Sequence, residues 1–213
     1  MSKLKNLVDE CGLISQKNIS HYDQNAVSYD EGTQDHDVSQ NIDALLRAIK
    51  TKPPFHLLDF GCGPGRDLQT FTKLGHVAIG LEGSLKAANI ARMKSGCEVL
   101  VQDFFNLNLP KNTFDGIFAN ASLFHIPNTL LPKVLGNLWA CLKPDGILFS
   151  SNPRGNNQES WYGDRFGSYH DLEGWRSFMS AAQFTEIEYF YRPTGLPIEQ
   201  QPWLASVWKK VML

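Results

Sequence analysis

Polar and apolar positions along the chain follow two periods, and these divide it into strands and helices. Short apolar runs occur at residues 56–60, 77–81, 97–101, 113–119 and 147–150, each bounded by glycine, proline or polar residues. Runs of that length without strict alternation predict strands buried on both faces. Between them, apolar residues recur every three or four positions, as in Ile42, Leu45, Leu46 and Ile49, or Leu130, Leu131, Val134, Leu135, Leu138 and Trp139. These predict helices, with shorter ones over 65–73 and 85–94, and regular strand–helix alternation predicts a doubly wound α/β sheet. Further on, Asp171 caps a predicted helix to Ala182, Thr185–Tyr191 alternates, and a proline-rich connection leads to Trp203–Trp208. Two strands joined without a helix predict a C-terminal antiparallel hairpin.

The ends of the chain and one internal stretch are less regular. Leu4, Leu7, Val8, Leu13 and Ile14, interrupted by Gly12, give a weakly amphipathic helix, and residues 1–50 are expected to form a helical lid or appendage on a domain spanning 51–213. Residues 152–170, rich in Gly, Asn, aromatic and basic residues, predict a long loop inserted over the active face.

The first apolar run ends in Gly61-Cys62-Gly63-Pro64-Gly65 and is followed by the helix start at Arg66. Glycines leave no Cβ in the way, so a ligand can approach main-chain N–H groups at the positive end of the helix. Arg66 stands where the dinucleotide fingerprint would place its third glycine. Glu82 ends the second strand, where a carboxylate can accept both hydroxyl hydrogens of a ribose. With Asp59 two residues ahead of it, the spacing G-x-G-x-G resembles motif I of the class I S-adenosyl-L-methionine (SAM) dependent methyltransferases.

That resemblance implies a Rossmann-like fold of seven strands, SAM as cofactor and S-adenosyl-L-homocysteine as product. It implies cofactor contacts from Asp59, Gly61, Cys62, Gly63, Gly65 and Arg66, and from Glu82 with Gly83. Residues 21–30 resemble the Y-D-x-x-A-x-x-Y-D segment of small-molecule methyltransferases, which implies that Tyr22 and Tyr29 close over the cofactor. Gln102-Asp103-Phe104-Phe105 resembles the adenine-binding position, which gives Asp103 the exocyclic amine and lays Phe104 against the ring. Asn120 and Ala121 continue past the fourth strand to His125, which the resemblance puts near the transferable methyl. His125, His36 and His170, in that order, are the candidate general bases, with packing against a helix the alternative for His125.

Composition narrows the rest. A formal net charge of −2 without a long basic run argues against nucleic acid as partner. Four dispersed cysteines without a C-x-x-C pair, and no signal-like segment, fit a reducing cytoplasm. No stretch approaches the roughly 20 apolar residues that a membrane span needs. Asp35-His36-Asp37 does not read as a metal site, because adjacent side chains splay apart. Arg154, Trp161, Arg165 and Tyr169 in the 152–170 stretch are candidates to clamp an anionic group on a planar substrate. The expectation is therefore a SAM-dependent methyltransferase for a small, anionic metabolite; the alternatives are a catalytically silent SAM-binding regulator and, third, a nicotinamide dehydrogenase.

Overall fold

The computed structural model describes residues 2–211, with side chains from residue 9 onward, so the apolar positions Leu4, Leu7 and Val8 fall outside the described side chains. Strands β1 (His56–Phe60), β2 (Val77–Glu82), β3 (Val99–Val101), β4 (Phe114–Asn120) and β5 (Leu142–Pro153) run parallel, and β8 (Phe184–Arg192) and β9 (Trp203–Lys210) complete the sheet. The order is β3-β2-β1-β4-β5-β9-β8, with β9 antiparallel to both of its neighbours. This is the seven-stranded doubly wound sheet with a terminal hairpin that the apolar runs predict.

Alternation along β1 explains the two layers. Leu57 turns to one face and Leu58 to the other, and both are fully buried. On the Leu57 face lie α3 (Ser39–Ala48), α4 (Arg66–Lys73) and α5 (Leu85–Ser95), whose Leu45, Phe71 and Ala88 meet Phe118 and Phe149 of the sheet. On the Leu58 face lie α6 (Leu131–Cys141) and α7 (Leu172–Ala181), with Leu135, Leu138 and Trp175 against Ile117 and Leu148. The helix starts follow local chemistry: the Ser84 side chain accepts from Ala87 N, and that of Asp171 accepts from Gly174 N. Under the β5–β9 seam, Ser206 Oγ receives the indole N–H groups of Trp175 and Trp208, so two large buried side chains leave no stranded donor.

Two expectations change. The segment 1–50 does not stand apart as one unit, because α3 carries fully buried Ala44 and Leu45 into the core. Only α1 (Ser2–Gln24) and α2 (Ala26–Thr33) lie over the carboxyl ends of the strands. Residues 152–170 are not a structureless loop. The fifth strand extends through Pro153, and β6 (Gln158–Tyr162) pairs antiparallel with β7 (Arg165–Tyr169) across Gly163-Asp164. Positive φ at Gly163 suits such a two-residue turn. Among the described residues no helix is long and apolar enough to cross a membrane.

Since Leu45 is fully buried between α3 and the sheet, Leu45→Ala is expected to cost about 2–5 kcal/mol in urea unfolding. A loss below about 1 kcal/mol would instead place α3 at the periphery.

Candidate active site

The carboxyl ends of β1 to β4 meet beneath α1 around a cavity that is open at its mouth. Its floor is the glycine turn. Gly61 N and Cys62 N both donate to Leu81 O, at 2.8 and 3.1 Å, which fastens the turn to β2. Gly61 has φ +78°, and a Cβ there would stand 2.5 Å from the Cβ of Ser122, so this position requires glycine twice over. Gly65 answers a different need. A Cβ on it would meet the backbone of Ala91 at 2.8 Å, so the third glycine lets α5 pack rather than making room for a ligand.

Glu82 ends β2 with its carboxylate turned back on this turn. Oε2 accepts from Gly63 N at 3.0 Å and Oε1 from Ser84 N at 2.8 Å. Burial pushes its carboxyl above the ordinary value, and the backbone N–H groups that point at it pull the other way. Asp103, after β3, folds back so that Oδ1 accepts from Phe105 N at 2.9 Å. Phe104 lines the cavity and packs on Phe60 with centroids 4.4 Å apart, and Phe105 lines it from within the core cluster. Beyond β4, Asn120 accepts from Asn41 Nδ2 at 2.9 Å, and Ala121 is held at φ +61° with its N–H on Ser151 O. A left-handed alanine costs on the order of 1 kcal/mol, and such strain tends to gather at ligand sites.

The roof is α1. Asp23 Oδ1 accepts from Ser84 Oγ and Lys86 N, both at 2.9 Å, clamping the end of α1 to the start of α5. Asn18 Oδ1 accepts from Phe166 N at 2.8 Å, tying the helix to β7. Tyr22 Oη lies 2.8 Å from His125 Nε2, and His125 Nδ1 lies 2.8 Å from the carbonyl oxygen of Phe166. A carbonyl can only accept, so Nδ1 carries the hydrogen and the bare Nε2 accepts from the tyrosine. Burial lowers the imidazole pKa to about 4 and raises that of the Tyr22 phenol to about 12, so both are neutral at physiological pH.

A second, wider cleft adjoins the first. Tyr22, Tyr29, Gly61, Gly63, Asn120 and Ala121 line both spaces. Its other walls include the α2–α3 connection with exposed His36, the turn with Cys62 and Arg66, Phe124, Arg165, and Arg192 at the end of β8. Arg66 is bound through Nε and Nη2 to the two carboxylate oxygens of Asp67. Arg192 Nη2 donates to Asp37 O at 2.9 Å, and its buried Nε has no partner.

The structure thus gathers Tyr22, Tyr29, Gly61, Gly63, Glu82, Gly83, Asp103, Phe104, Asn120, Ala121 and His125 around the inner cavity, and adds His36, Cys62, Arg66 and Arg165 on the cleft. The remaining sequence candidates line neither space. Asp59 is buried in β1, and its Oδ2 has no partner. His170 faces away, with Nε2 2.8 Å from Asn128 Oδ1 and its ring edge-on to Phe178. Arg154 stacks on Tyr191 and donates to Ile198 O, Trp161 packs on Phe166 beneath Lys17, and Tyr169 leans on Phe124. Sequence reasoning missed Ser15, Asn18 and Ile19 of α1, and Arg192. Among the described residues no group of three His, Cys, Asp or Glu side chains is placed to hold a metal.

A family model described as a methyltransferase domain matches residues 29–188. The chain belongs to this methyltransferase-domain family. It is 27% identical over 158 residues to phosphoethanolamine N-methyltransferase 1 of Zea mays, covering 67% of this chain and 30% of that enzyme. It is 28% identical over 132 residues to an uncharacterized methyltransferase of a Geobacillus strain, covering 61% of each. The chain therefore spans less than two thirds of either relative's length. The fold is that of the Burkholderia thailandensis 1,6-didemethyltoxoflavin N1-methyltransferase, solved with 1,6-didemethyltoxoflavin and S-adenosylhomocysteine bound. The TM-score is 0.74 at 20% identity, over 96% of this chain and 90% of that one.

In this methyltransferase-domain protein, Asp59 carries a pH signature. Its burial, followed by the nearby Asp67 charge, raises its carboxyl well above the ordinary value. A raised carboxyl binds its proton more tightly folded than unfolded, so stability falls as pH rises from the ordinary value of about 4 toward the raised one. Asp59→Asn is expected to equal the wild type near pH 4 and to exceed it at neutral pH, by about 1.4 kcal/mol per unit of the raise. Urea unfolding at both pH values checks this, and a difference independent of pH would count against it.

Proposed function

We propose that the protein is a SAM-dependent methyltransferase acting on a small metabolite that bears an anionic group. The carrying observation is the pairing of two spaces that share Tyr22, Tyr29, Asn120 and Ala121, one furnished for a nucleoside and the other open and faced by arginines. The residues fit the cofactor. Each Glu82 oxygen spends one lone pair on a backbone N–H and keeps another for a ribose hydroxyl. The second oxygen of Asp103 is open for an exocyclic amine. A Cβ on Gly63 would come 3.6 Å from the Tyr29 ring and narrow the passage between the spaces.

When bound, the sulfonium cofactor supplies a methyl group that is already activated. What the chain adds is alignment and exclusion of water, which α1 and its hydrogen bonds provide from above. On the cleft side the acids are largely engaged: Asp30 pairs with Lys94, Asp67 with Arg66, and Asp37 accepts from Ser39 N. Asp35 has no such partner among the described residues, whereas Arg165 and the unpaired Nε of Arg192 offer two guanidinium groups. That balance favours an acceptor with a carboxylate or phosphate. Arg154, engaged elsewhere, is not assigned to it.

Calorimetric titration is expected to show S-adenosylhomocysteine binding and no comparable NADH binding; the reverse would overturn the cofactor assignment. A metabolite screen with methyl-labelled SAM is expected to yield product, and binding without product from any acceptor would favour the silent-regulator alternative. With the acceptor found, Arg165→Ala and Arg192→Ala are expected to raise its KM about tenfold or more while SAM affinity changes less than about twofold. Equal loss of both would argue against an anion site.

A further inference from the structure

Tyr22 lines both spaces, and the hydrogen bonds around its hydroxyl determine which kind of group it can face. Its one proton has a fixed destination. His125 Nδ1, 2.8 Å from the Phe166 carbonyl oxygen, must be the protonated nitrogen, which leaves Nε2 as an acceptor for Tyr22. Asn18 competes for Nδ1 only weakly, since its Nδ2 donor could serve a bare Nδ1 but lies 3.5 Å away, against 2.8 Å for the Phe166 carbonyl oxygen. The Asn18 oxygen is held 2.8 Å from Phe166 N, so the atom turned toward the imidazole is its amide nitrogen, itself a donor. The backbone of Phe166 therefore determines the tautomer of His125, and the tautomer determines the orientation of the Tyr22 hydroxyl. With its proton engaged, the phenol oxygen presents only lone pairs to a ligand.

We propose, resting on the methyltransferase reading above, that the acceptor's nucleophile is an O–H or N–H group that donates to Tyr22 Oη, and that Tyr22 and His125 carry its proton away. A bare ether, carbonyl or carboxylate oxygen at this point would meet lone pairs. An anionic group on the acceptor is left to Arg165 and Arg192. The proton balance is complete within the chain. As the heteroatom takes the methyl group, its bond to hydrogen breaks and leaves the electron pair on the heteroatom. The proton goes to Tyr22 Oη, and the proton of Tyr22 goes to His125 Nε2. The resulting imidazolium keeps its Nδ1 hydrogen on Phe166 O and returns the extra proton to water afterwards. One proton is released per methyl transferred, and no oxidant or reductant is needed. Arg165 supplies a positive charge near the phenol oxygen, where negative charge gathers during the relay. Tyr22 is then a catalytic residue and His125 its relay partner.

Two measurements that need no turnover test this. With histidine labelled by ¹⁵N, NMR of the free protein is expected to show His125 neutral, protonated at Nδ1, with Nε2 shifted by a hydrogen bond that Tyr22→Phe removes without changing the tautomer. A proton on Nε2 overturns the proposal. Next, phenol against anisole, and indole against 1-methylindole, are titrated with S-adenosylhomocysteine present. The donor-bearing member of each pair is expected to bind about fivefold more tightly, as one net hydrogen bond gives. In Tyr22→Phe the ratio is expected to fall to about one. Equal binding of both members to the wild type overturns the proposal, and the wild-type results decide it even if the variant does not fold. Failure to bind S-adenosylhomocysteine would instead count against the cofactor reading.

Discussion

The site is organised by the carboxylate of Glu82. It is only 8% exposed, yet its two oxygens receive the N–H groups of Gly63 and Ser84, so it joins the turn after β1 to the start of α5. Both are orphan donors of the kind found at turns and helix starts, and a buried carboxylate satisfies them at the cost of its own dehydration. From Ser84 the chain of contacts continues. Its hydroxyl reaches Asp23, which fixes α1, and α1 carries Tyr22 and Asn18 to His125 and to Phe166 of the hairpin. Five separate segments are thus held in register by polar groups rather than by apolar packing. Their positions relative to one another depend on hydrogen-bond geometry, which is directional in a way that hydrophobic contact is not.

This division explains what could be read from the chain. Strands β1 to β5 are buried on both faces and therefore write themselves as apolar runs, and the glycine turn and Glu82 follow at fixed distances from their ends. The β6–β7 hairpin escaped because every residue of β6 is exposed, so no alternation marks it. Gly163-Asp164 is the one local signal that could have found it. The helix α1 was only faintly visible because part of its inward face is Ser15, Asn18 and Tyr22, polar groups whose partners lie more than 100 residues away in sequence for Asn18 and Tyr22. Histidines were the least readable of the candidates. Their residue type fits a base at 36, 125 or 170, but only packing decides which way a ring points, and His170 points at Asn128 and Phe178.

Costs concentrate where the ligand-facing groups are. Ala121 sits in the left-handed region, Asp59 keeps a carboxylate oxygen in the interior without a partner, and His125 is held neutral by burial. None of these improves the fold. Each is tolerated because the two apolar layers on either side of the sheet, with Trp175, Phe118 and Phe149 fully or almost fully buried, supply the stability that these positions give up. Two positions that are also structural are Gly61 and Gly65, where positive φ coincides with close approach to Ser122 and Ala91, and there the chain uses the residue that bears neither penalty.

The two spaces also differ in how firmly the fold specifies them. The inner cavity is built largely from strand ends and the turns that leave them, so any chain with this sheet tends to reproduce it. The cleft is walled by the α2–α3 connection, Arg165 of the hairpin and Arg192 at the far end of β8, elements whose sequence can vary without disturbing a core residue. Likeness to a solved enzyme at 20% identity therefore carries the fold, and stops short of the cleft wall. Acceptor choice must be argued from the side chains on that wall. There the Tyr22 hydroxyl, oriented from beneath by a backbone carbonyl through an imidazole, is the group whose hydrogen-bonding role is most narrowly determined.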